Sequence, residues 1–119
     1  MGCSPFSIIG SRPSGASSPS GPAWSVTGRA SSIGVPASIP YVLGLNRVQL
    51  RSDDGSINLV HCESRGQKLP LLSVRQYESG RTLAWTTDIA PHWLSDEFMR
   101  WDGYDALMVN MVRWLAQEI

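Results

Sequence analysis

The end of the chain carries apolar residues three or four positions apart, which is the spacing of one face of an α-helix. Charged and amide side chains such as Asp102, Arg113 and Gln117 fall mainly outside that face. We therefore predict an amphipathic helix that packs its apolar face on a sheet. The predicted face consists of Trp101, Tyr104, Met108, Met111, Leu115 and Ile119, widened by Leu107, Val112 and Trp114.

Apolar and β-branched runs between residues 42 and 86 predict short strands joined by turns. Asp53-Asp54-Gly55 and Glu78-Ser79-Gly80 contain residues that tight hairpin turns prefer, whereas the polar segment Glu63–Lys68 indicates a loop. Two hairpins in sequence predict antiparallel pairing in this part of the sheet. The predicted strands are one within Val42–Leu50, then Ile57–His61, Leu71–Tyr77 and Arg81–Thr86.

Residues 1–38 differ in composition from the rest of the chain: they are rich in Ser, Gly and Pro, with scattered apolar residues. Proline removes backbone donors and glycine raises the entropic cost of ordering, so this composition buries too little apolar surface to offset that cost. The segment also lacks the glycine patterns G-x-x-x-x-G-K-[ST] and G-x-G-x-x-G of phosphate-binding loops. We expect residues 1–38 to be disordered and residues 39–119 to fold.

Composition narrows the class of protein. Ten basic and ten acidic residues give no net charge, which argues against a nucleic-acid partner because such partners require a clustered basic excess. No apolar run reaches the ~18 residues of a membrane-spanning helix, and the first residues carry no export or anchoring signal. Two cysteines, Cys3 and Cys62, do not make a disulfide framework, so we expect a reduced, cytoplasmic setting without a membrane partner.

Asp88, His92 and Trp93 fall on one loop after a predicted strand, where α/β proteins usually build their sites. Imidazole titrates near neutral pH, so His92 is a candidate catalytic base, and Asp88 is a candidate to orient its ring as in a catalytic triad. Trp93 and Arg81 are candidates for ligand binding, with Arg81 holding an anion. Two alternatives stay open: His92 packs beside Trp93 to order the loop, and Arg81 covers a sheet edge or pairs with Glu78 or Asp88.

The sequence supplies no nucleophile to work with His92. Cys62 follows His61 in a predicted strand, where neighbouring side chains point to opposite faces. A G-x-C-x-G or G-x-S-x-G elbow is absent from the sequence. A cluster of His61, Cys62, Glu63 and His92 has no recognised ligand spacing, so we expect no metal and no cofactor.

Five blocks of residues point to one family. They are Leu43–Val48, Pro70–Leu72, Gly80–Trp93, Trp101–Tyr104 and Trp114–Ala116. In order and spacing these blocks resemble the C-terminal part of the putative glutamine amidotransferases, which are class I glutamine amidotransferase-like domains with a flavodoxin-like α/β fold. The resemblance covers roughly residues 36–117, and residues 1–35 lie outside it.

The resemblance implies that this chain is the C-terminal portion of an α/β domain, with short strands in hairpins and a C-terminal amphipathic helix. The complete domain would be about twice as long, and its first half would hold the parallel strands and the elbow cysteine that attacks the glutamine amide. His92 lies in about the place of the activating histidine, although Trp93 and Leu94 replace the usual H-P-E order. By this resemblance the chain is a partial domain that lacks its nucleophile.

Such a partial domain would leave an apolar sheet face exposed, which the missing first half or another chain would cover. An alternative is a truncated or frame-shifted gene product, because the composition changes abruptly near residue 38. Two further functions stay open. One is a small-molecule binding module that uses the Asp88–Trp93 loop, and the other is an interaction or oligomerisation domain that pairs through the apolar sheet face.

Overall fold

A computed structural model describes residues 6–8, 23–29 and 31–119 of the chain, and residues 6–8 through their backbone alone. Within these residues the chain forms seven strands and two helices. The strands are β1 (Phe6–Ile8), β2 (Trp24–Gly28), β3 (Ser38–Val42), β4 (Val48–Leu50), β5 (Ile57–Ser64), β6 (Gln67–Tyr77) and β7 (Gly80–Trp85), and the helices are α1 (Asp96–Met99) and α2 (Gly103–Leu115).

Five strands form one sheet in the order β3-β2-β5-β6-β7, and β1 pairs with β4 in a separate two-stranded sheet. Every neighbouring pair is antiparallel, which confirms the pairing predicted for this part of the chain. Helix α1 contacts β3 at one edge of the large sheet, and α2 contacts β7 at the other. The described residues therefore form an antiparallel sheet whose two edge strands are met by helices, an arrangement compatible with an α/β domain.

The hairpin between β6 and β7 lies where the sequence predicts it. Tyr77 pairs with Gly80, so Glu78 and Ser79 make the turn. The positive φ that closes the turn, 53°, belongs to Glu78 rather than to the glycine. The turn position was therefore predictable, but the residue that adopts the left-handed conformation was not.

The first predicted hairpin is wrong. Asp53-Asp54-Gly55 does not join two paired strands, because β4 pairs with β1 and not with β5. The hairpin lies one strand later, where Arg65 and Gly66 have φ of 51° and 80°, the two positive values of a type I′ turn. Both strands extend into the segment Glu63–Lys68 that the sequence indicated as a loop, and they leave only this two-residue turn.

Strand β2 lies inside the large sheet, between β3 and β5. Trp24 and Val26 are buried, whereas Ser25 and Thr27 are exposed, so the strand alternates as one face of a sheet against the core requires. This strand differs from the expectation that residues 1–38 are disordered. A period-two pattern of only five residues is hidden when composition is averaged over a Ser/Gly/Pro-rich stretch. For residues 1–5, 9–22 and 30, the expectation lies outside the described residues.

Helix α2 is amphipathic as predicted, but its buried face is rotated. Leu107, Met111 and Trp114 are buried, whereas Val112 and Leu115 of the predicted face are exposed. The helix has apolar side chains on more than one face, so periodicity alone does not determine which face packs on the core. Within the described part of the chain, no helix is both long and apolar enough to span a membrane.

Phe98 of α1 joins the sheet to α2. Its ring is fully buried and lies edge-to-face with the rings of Trp85, Trp101 and Tyr104, at centroid distances of 6.3, 5.5 and 6.2 Å. Such aromatic pairs add to the free energy gained from burial. Ser95 caps α1, since its Oγ accepts a hydrogen bond from the Phe98 backbone N–H at 3.1 Å. The cap and the aromatic cluster fix the end of the loop that leaves β7.

Candidate functional site

The segment that follows β7 is held against the loop that follows β3. The backbone N–H of Thr86 donates to the carbonyl of Leu71 at 3.0 Å, and the Thr86 carbonyl accepts from the N–H of Asn46 at 2.7 Å. The hydroxyl of Thr87 donates to the carbonyl of Gly44 at 2.6 Å. The segment therefore leaves the sheet in a direction set by three hydrogen bonds.

Two aromatic side chains fix the middle of this segment. The indole Nε1 of Trp85 donates to the carbonyl of Asp88 at 2.7 Å, and the hydroxyl of Tyr104 donates to the carbonyl of Ile89. Each bond gives a loop carbonyl a hydrogen-bond donor within the protein, so the carbonyl does not depend on water for one. The position of Asp88 is thus determined by β7 and α2 together.

The structure brings together the three residues that the sequence predicts for this loop. Nδ1 of His92 lies 3.7 Å from Oδ2 of Asp88, and the same oxygen accepts a hydrogen bond from the backbone N–H of Trp93 at 3.3 Å. The imidazole ring stacks on the Trp93 indole, with 6.5 Å between centroids and 17° between planes. His92 is 68% exposed and Asp88 43%, so solvent screens the ion pair that forms when the imidazole is protonated.

The backbone of His92 has a φ of 145°, which non-glycine residues rarely adopt. Hydrogen bonds on its C-terminal side hold the chain: Leu43 N–H donates to the Trp93 carbonyl at 2.6 Å, and Leu94 forms a β-bridge with Val42. A conformation of this kind costs on the order of 1–3 kcal/mol and occurs most often at functional sites. The strain at His92 is therefore a reason to examine this loop for function.

A groove of about 360 Å³ lies beside His92. It runs between the end of β3, the loop and α1. Its lining consists of Tyr41, Leu43, Pro91, His92, Leu94, Ser95, Asp96, Glu97 and Arg100. Four side chains with ionisable or cationic groups besides His92 thus face one groove, and none of them is among the predicted site residues. Three of them, Asp96, Glu97 and Arg100, belong to the segment S-D-E-F-M-R, which one helical turn brings to one side, and the fourth, Tyr41, lies in β3.

Tyr41 and Glu97 are directly bonded across this groove. The Tyr41 hydroxyl donates to Oε1 of Glu97 at 2.9 Å. This bond, followed by the surrounding burial, raises the pKa of Tyr41 above its ordinary value. The pKa of Glu97 is lowered, first by its own backbone N–H and then by the Tyr41 hydroxyl. Glu97 is therefore held as a carboxylate, and no sequence motif could have paired it with a residue 56 positions away.

Arg81 does not belong to this loop. It lies at the start of β7, whereas Asp88 follows the end of that strand. The guanidinium NH1 donates to the backbone oxygens of Trp114 and Ile119, both at 2.7 Å. The side chain is thus engaged with the end of α2, and neither Glu78 nor Asp88 is its observed partner.

Cys62 is fully buried in the core. Burial raises the pKa of its thiol to about 12, so at neutral pH essentially none of it is thiolate. It lines neither the groove beside His92 nor the second groove described next. Among the described residues, Cys62 therefore does not supply the nucleophile that His92 lacks.

A second groove of about 360 Å³ lies between β4 and the β5–β6 pair. His61 lines it together with Lys68, and the pKa of His61 is lowered, first by burial and then by the Lys68 charge. His61 is therefore separated from both Cys62, which is in the core, and His92. Within the described residues no three His, Cys, Asp or Glu side chains are grouped as a metal site requires. The remaining lining residues are Val48, Gln49, Leu50, Asn58, Leu69 and Pro70.

Two solved structures have the same fold as this chain. The cytoplasmic protein STM1381 from Salmonella typhimurium LT2 is 22% identical with a TM-score of 0.74, and the cytoplasmic protein STM3548 from Salmonella typhimurium is 24% identical with a TM-score of 0.74. Each match covers 93% of this chain and 43% of the other, so the chain spans less than half the length of these structures. No curated protein matches it.

The family model described as putative glutamine amidotransferase matches residues 16–117. This match begins twenty residues before the segment in which the sequence blocks were recognised, and it includes β2 and β3. The change in composition near residue 38 is therefore not a boundary of the segment that matches the family. The chain belongs to the putative glutamine amidotransferase family.

Proposed function

We propose that this chain forms the C-terminal portion of a flavodoxin-like, class I glutamine amidotransferase-like domain and catalyses no amide transfer by itself. One observation carries the proposal: the Asp88–His92 pair borders a polar groove, whereas the described cysteine is buried with a pKa of about 12. Membership of the family and the 43% coverage of two larger structures support it. The chain would then supply one wall of a site whose nucleophile lies on the other wall.

The chemistry of this wall follows from the geometry of the pair. The Asp88 carboxylate lies on the Nδ1 side of the His92 ring, so Nε2 is the nitrogen that would act as the acceptor. A histidine in that state can take a proton from a thiol or water at Nε2 and later return it. Asp88 would stay beside the ring during this transfer, because its carboxylate is held by the backbone N–H of Trp93.

Ammonia release from glutamine tests the proposal with the intact 119-residue chain. We expect the wild-type protein and His92→Ala to release ammonia at the same rate as buffer. Circular dichroism shows whether both proteins are folded, and His92 is exposed enough for the substitution to be tolerated. Release by the wild type that disappears in His92→Ala would show that the chain contains a complete site, and the proposal would be wrong.

The groove beside His92 supports a second candidate function, the binding of a small polar molecule. Its volume of about 360 Å³ lies at the low end of ligand pockets, and it offers both a carboxylate and a guanidinium. Trp93 stacks on His92, so a ligand that moves the imidazole would change Trp93 fluorescence. Glutamine, glucose and AMP are suitable probes, with Trp93→Phe to identify the responding indole. Unchanged fluorescence with all three counts against binding.

The setting and partners of the chain are part of the proposal. We place it in the cytoplasm, in keeping with the descriptions of the two proteins that share its fold. Its partner would be the remaining half of the domain or another chain that provides it. Co-expression of this chain with the first half of a longer family member tests this, with co-purification as the expected result and separate elution as the contrary one.

A further inference from the structure

Exposed apolar side chains are concentrated on the outer face of α2. Val109 is 54% exposed and Val112 is 65% exposed. Among the large apolar side chains of the described residues, only Ile89, at 67%, is more exposed than Val112. Both lie on the side of the helix turned away from the buried Leu107, Met111 and Trp114. Neighbouring exposed apolar side chains on one helix face are a candidate contact surface for a second protein. The described sheet strands, in contrast, expose one large apolar residue, Ile57.

The outer face of α2 carries opposite charges at its two ends. Asp105 lies four residues before Val109 and Arg113 lies four residues after it, and both side chains are exposed. Ala106 and Val112 lie three residues before and after Val109. The exposed residues of this face are therefore spaced equally on both sides of Val109, with a negative charge on one side and a positive charge on the other. A second copy turned end to end would place opposite charges together, so the surface is complementary to itself.

We propose that α2 packs antiparallel against α2 of a second copy of this chain, on a two-fold axis beside Val109. In that arrangement Val109 meets its equivalent, Val112 meets Ala106 of the second copy, and Asp105 meets Arg113 of the second copy. Antiparallel helices also place opposite ends of the two macrodipoles together. A parallel pair would instead set Asp105 beside Asp105 and Arg113 beside Arg113, so the charges specify the orientation.

The size of the surface determines how strong the dimer is. A helix of 13 residues is about 20 Å long, and such a face is smaller than the ~800 Å² per partner of a stable complex. The dimer is therefore weak and depends on protein concentration and on salt. Arg113 also forms an exposed ion pair with Glu118 at 3.3 Å, but a guanidinium has five N–H donors and bonds both carboxylates.

Sedimentation velocity of the full chain over a wide range of concentrations tests the proposal. We expect a monomer–dimer equilibrium that Val109→Asp abolishes. Asp105→Arg and Arg113→Asp each weaken it by roughly 2- to 30-fold, because exposed ion pairs are weak and two-fold symmetry counts each pair twice. The double variant Asp105→Arg/Arg113→Asp restores the opposite charges and recovers the wild-type dissociation constant.

Two controls separate this interface from other effects. Glu118→Gln removes the ion pair within the chain and leaves the dissociation constant unchanged or lower. Circular dichroism and thermal unfolding show that the exposed substitutions leave the fold intact. A monomer at every concentration overturns the proposal. A dimer whose dissociation constant is unchanged by the single charge reversals, or is not restored in the double variant, overturns it as well.

Discussion

The guanidinium of Arg81 lies over the indole ring of Trp114, with 4.7 Å between its central carbon and the ring centroid. The same group donates to the backbone oxygens of Trp114 and Ile119. The Trp114 carbonyl also accepts from the Gln117 N–H at 3.0 Å, and a cation at this end of a helix interacts favourably with the helix dipole. One side chain at the start of β7 therefore holds the end of α2 on the sheet.

Arg81→Ala should lower the free energy of unfolding by about 2–3 kcal/mol, because it removes charged hydrogen bonds and a cation–π contact. Arg81→Lys keeps the charge but not the planar stacking and should lie in between. Urea unfolding measures both. Arg29→Ala, at an exposed arginine, should change stability by less than about 0.5 kcal/mol, and an equal loss in both alanine variants would contradict the role given to Arg81.

Cys62 should be unreactive in the folded protein. Its thiol is fully buried and its pKa of about 12 leaves almost no thiolate at neutral pH. In the Cys3→Ser variant, Cys62 is the remaining thiol that can react with Ellman's reagent. We expect this reaction only after urea unfolds the protein. Rapid reaction of native Cys3→Ser would mean that the Cys62 thiol reaches the surface and is available as a nucleophile.

The raised pKa of Cys62 also predicts a pH dependence of stability. The folded state favours the protonated thiol, so its contribution is complete below the ordinary pKa of 9.0 and is lost as pH rises toward about 12. The free energy of unfolding should fall by about 1.4 kcal/mol per pH unit more in the wild type than in Cys62→Ala above pH 9. Parallel curves for the two proteins would show that Cys62 is solvated.

The elements that the sequence predicted well are those defined by neighbouring residues. The β6–β7 hairpin depends on a turn between two adjacent apolar runs, and Asp88, His92 and Trp93 are close in space because they are close in sequence. Strand β2 could not be predicted in this way, because its burial depends on β5, more than thirty residues later. Local composition carries no information on that pairing.

The same limit applies to the candidate site. Tyr41 reaches Glu97 because Leu43 and Val42 pair with the loop after β7, which is a long-range event. A tyrosine at a strand end has no local signal for this role. Arg81 shows the opposite outcome. An arginine after a glycine suggested an anion site, but its partners are the backbone oxygens of Trp114 in α2 and of Ile119 beyond it.

Tyr41→Phe should raise the pKa of Glu97 toward the ordinary carboxyl value, because it removes one of the two hydrogen bonds that lower it. A carboxyl group with a lowered pKa in the folded state stabilises the fold at neutral pH. This stabilisation is lost as pH falls through the lowered pKa. The variant should therefore be less stable than the wild type at neutral pH and equal to it in acid. Carbon-13 NMR titration of the Glu97 carboxyl measures the shift. Tyr77→Phe, whose ring stacks with Arg75, should leave Glu97 unchanged.

Gly28→Ala should destabilise the fold strongly, because a Cβ at this end of β2 would lie 2.2 Å from the carbonyl oxygen of Pro36 and 2.3 Å from the Val35 side chain. Backbone cannot move aside cheaply, so we expect a loss of about 1–3 kcal/mol or more in urea unfolding. Gly80→Ala is the matched control, since its Cβ would meet the nearest atom at 3.6 Å, an ordinary contact. Equal stability of Gly28→Ala and the wild type would mean that Val35 and Pro36 do not lie against Gly28.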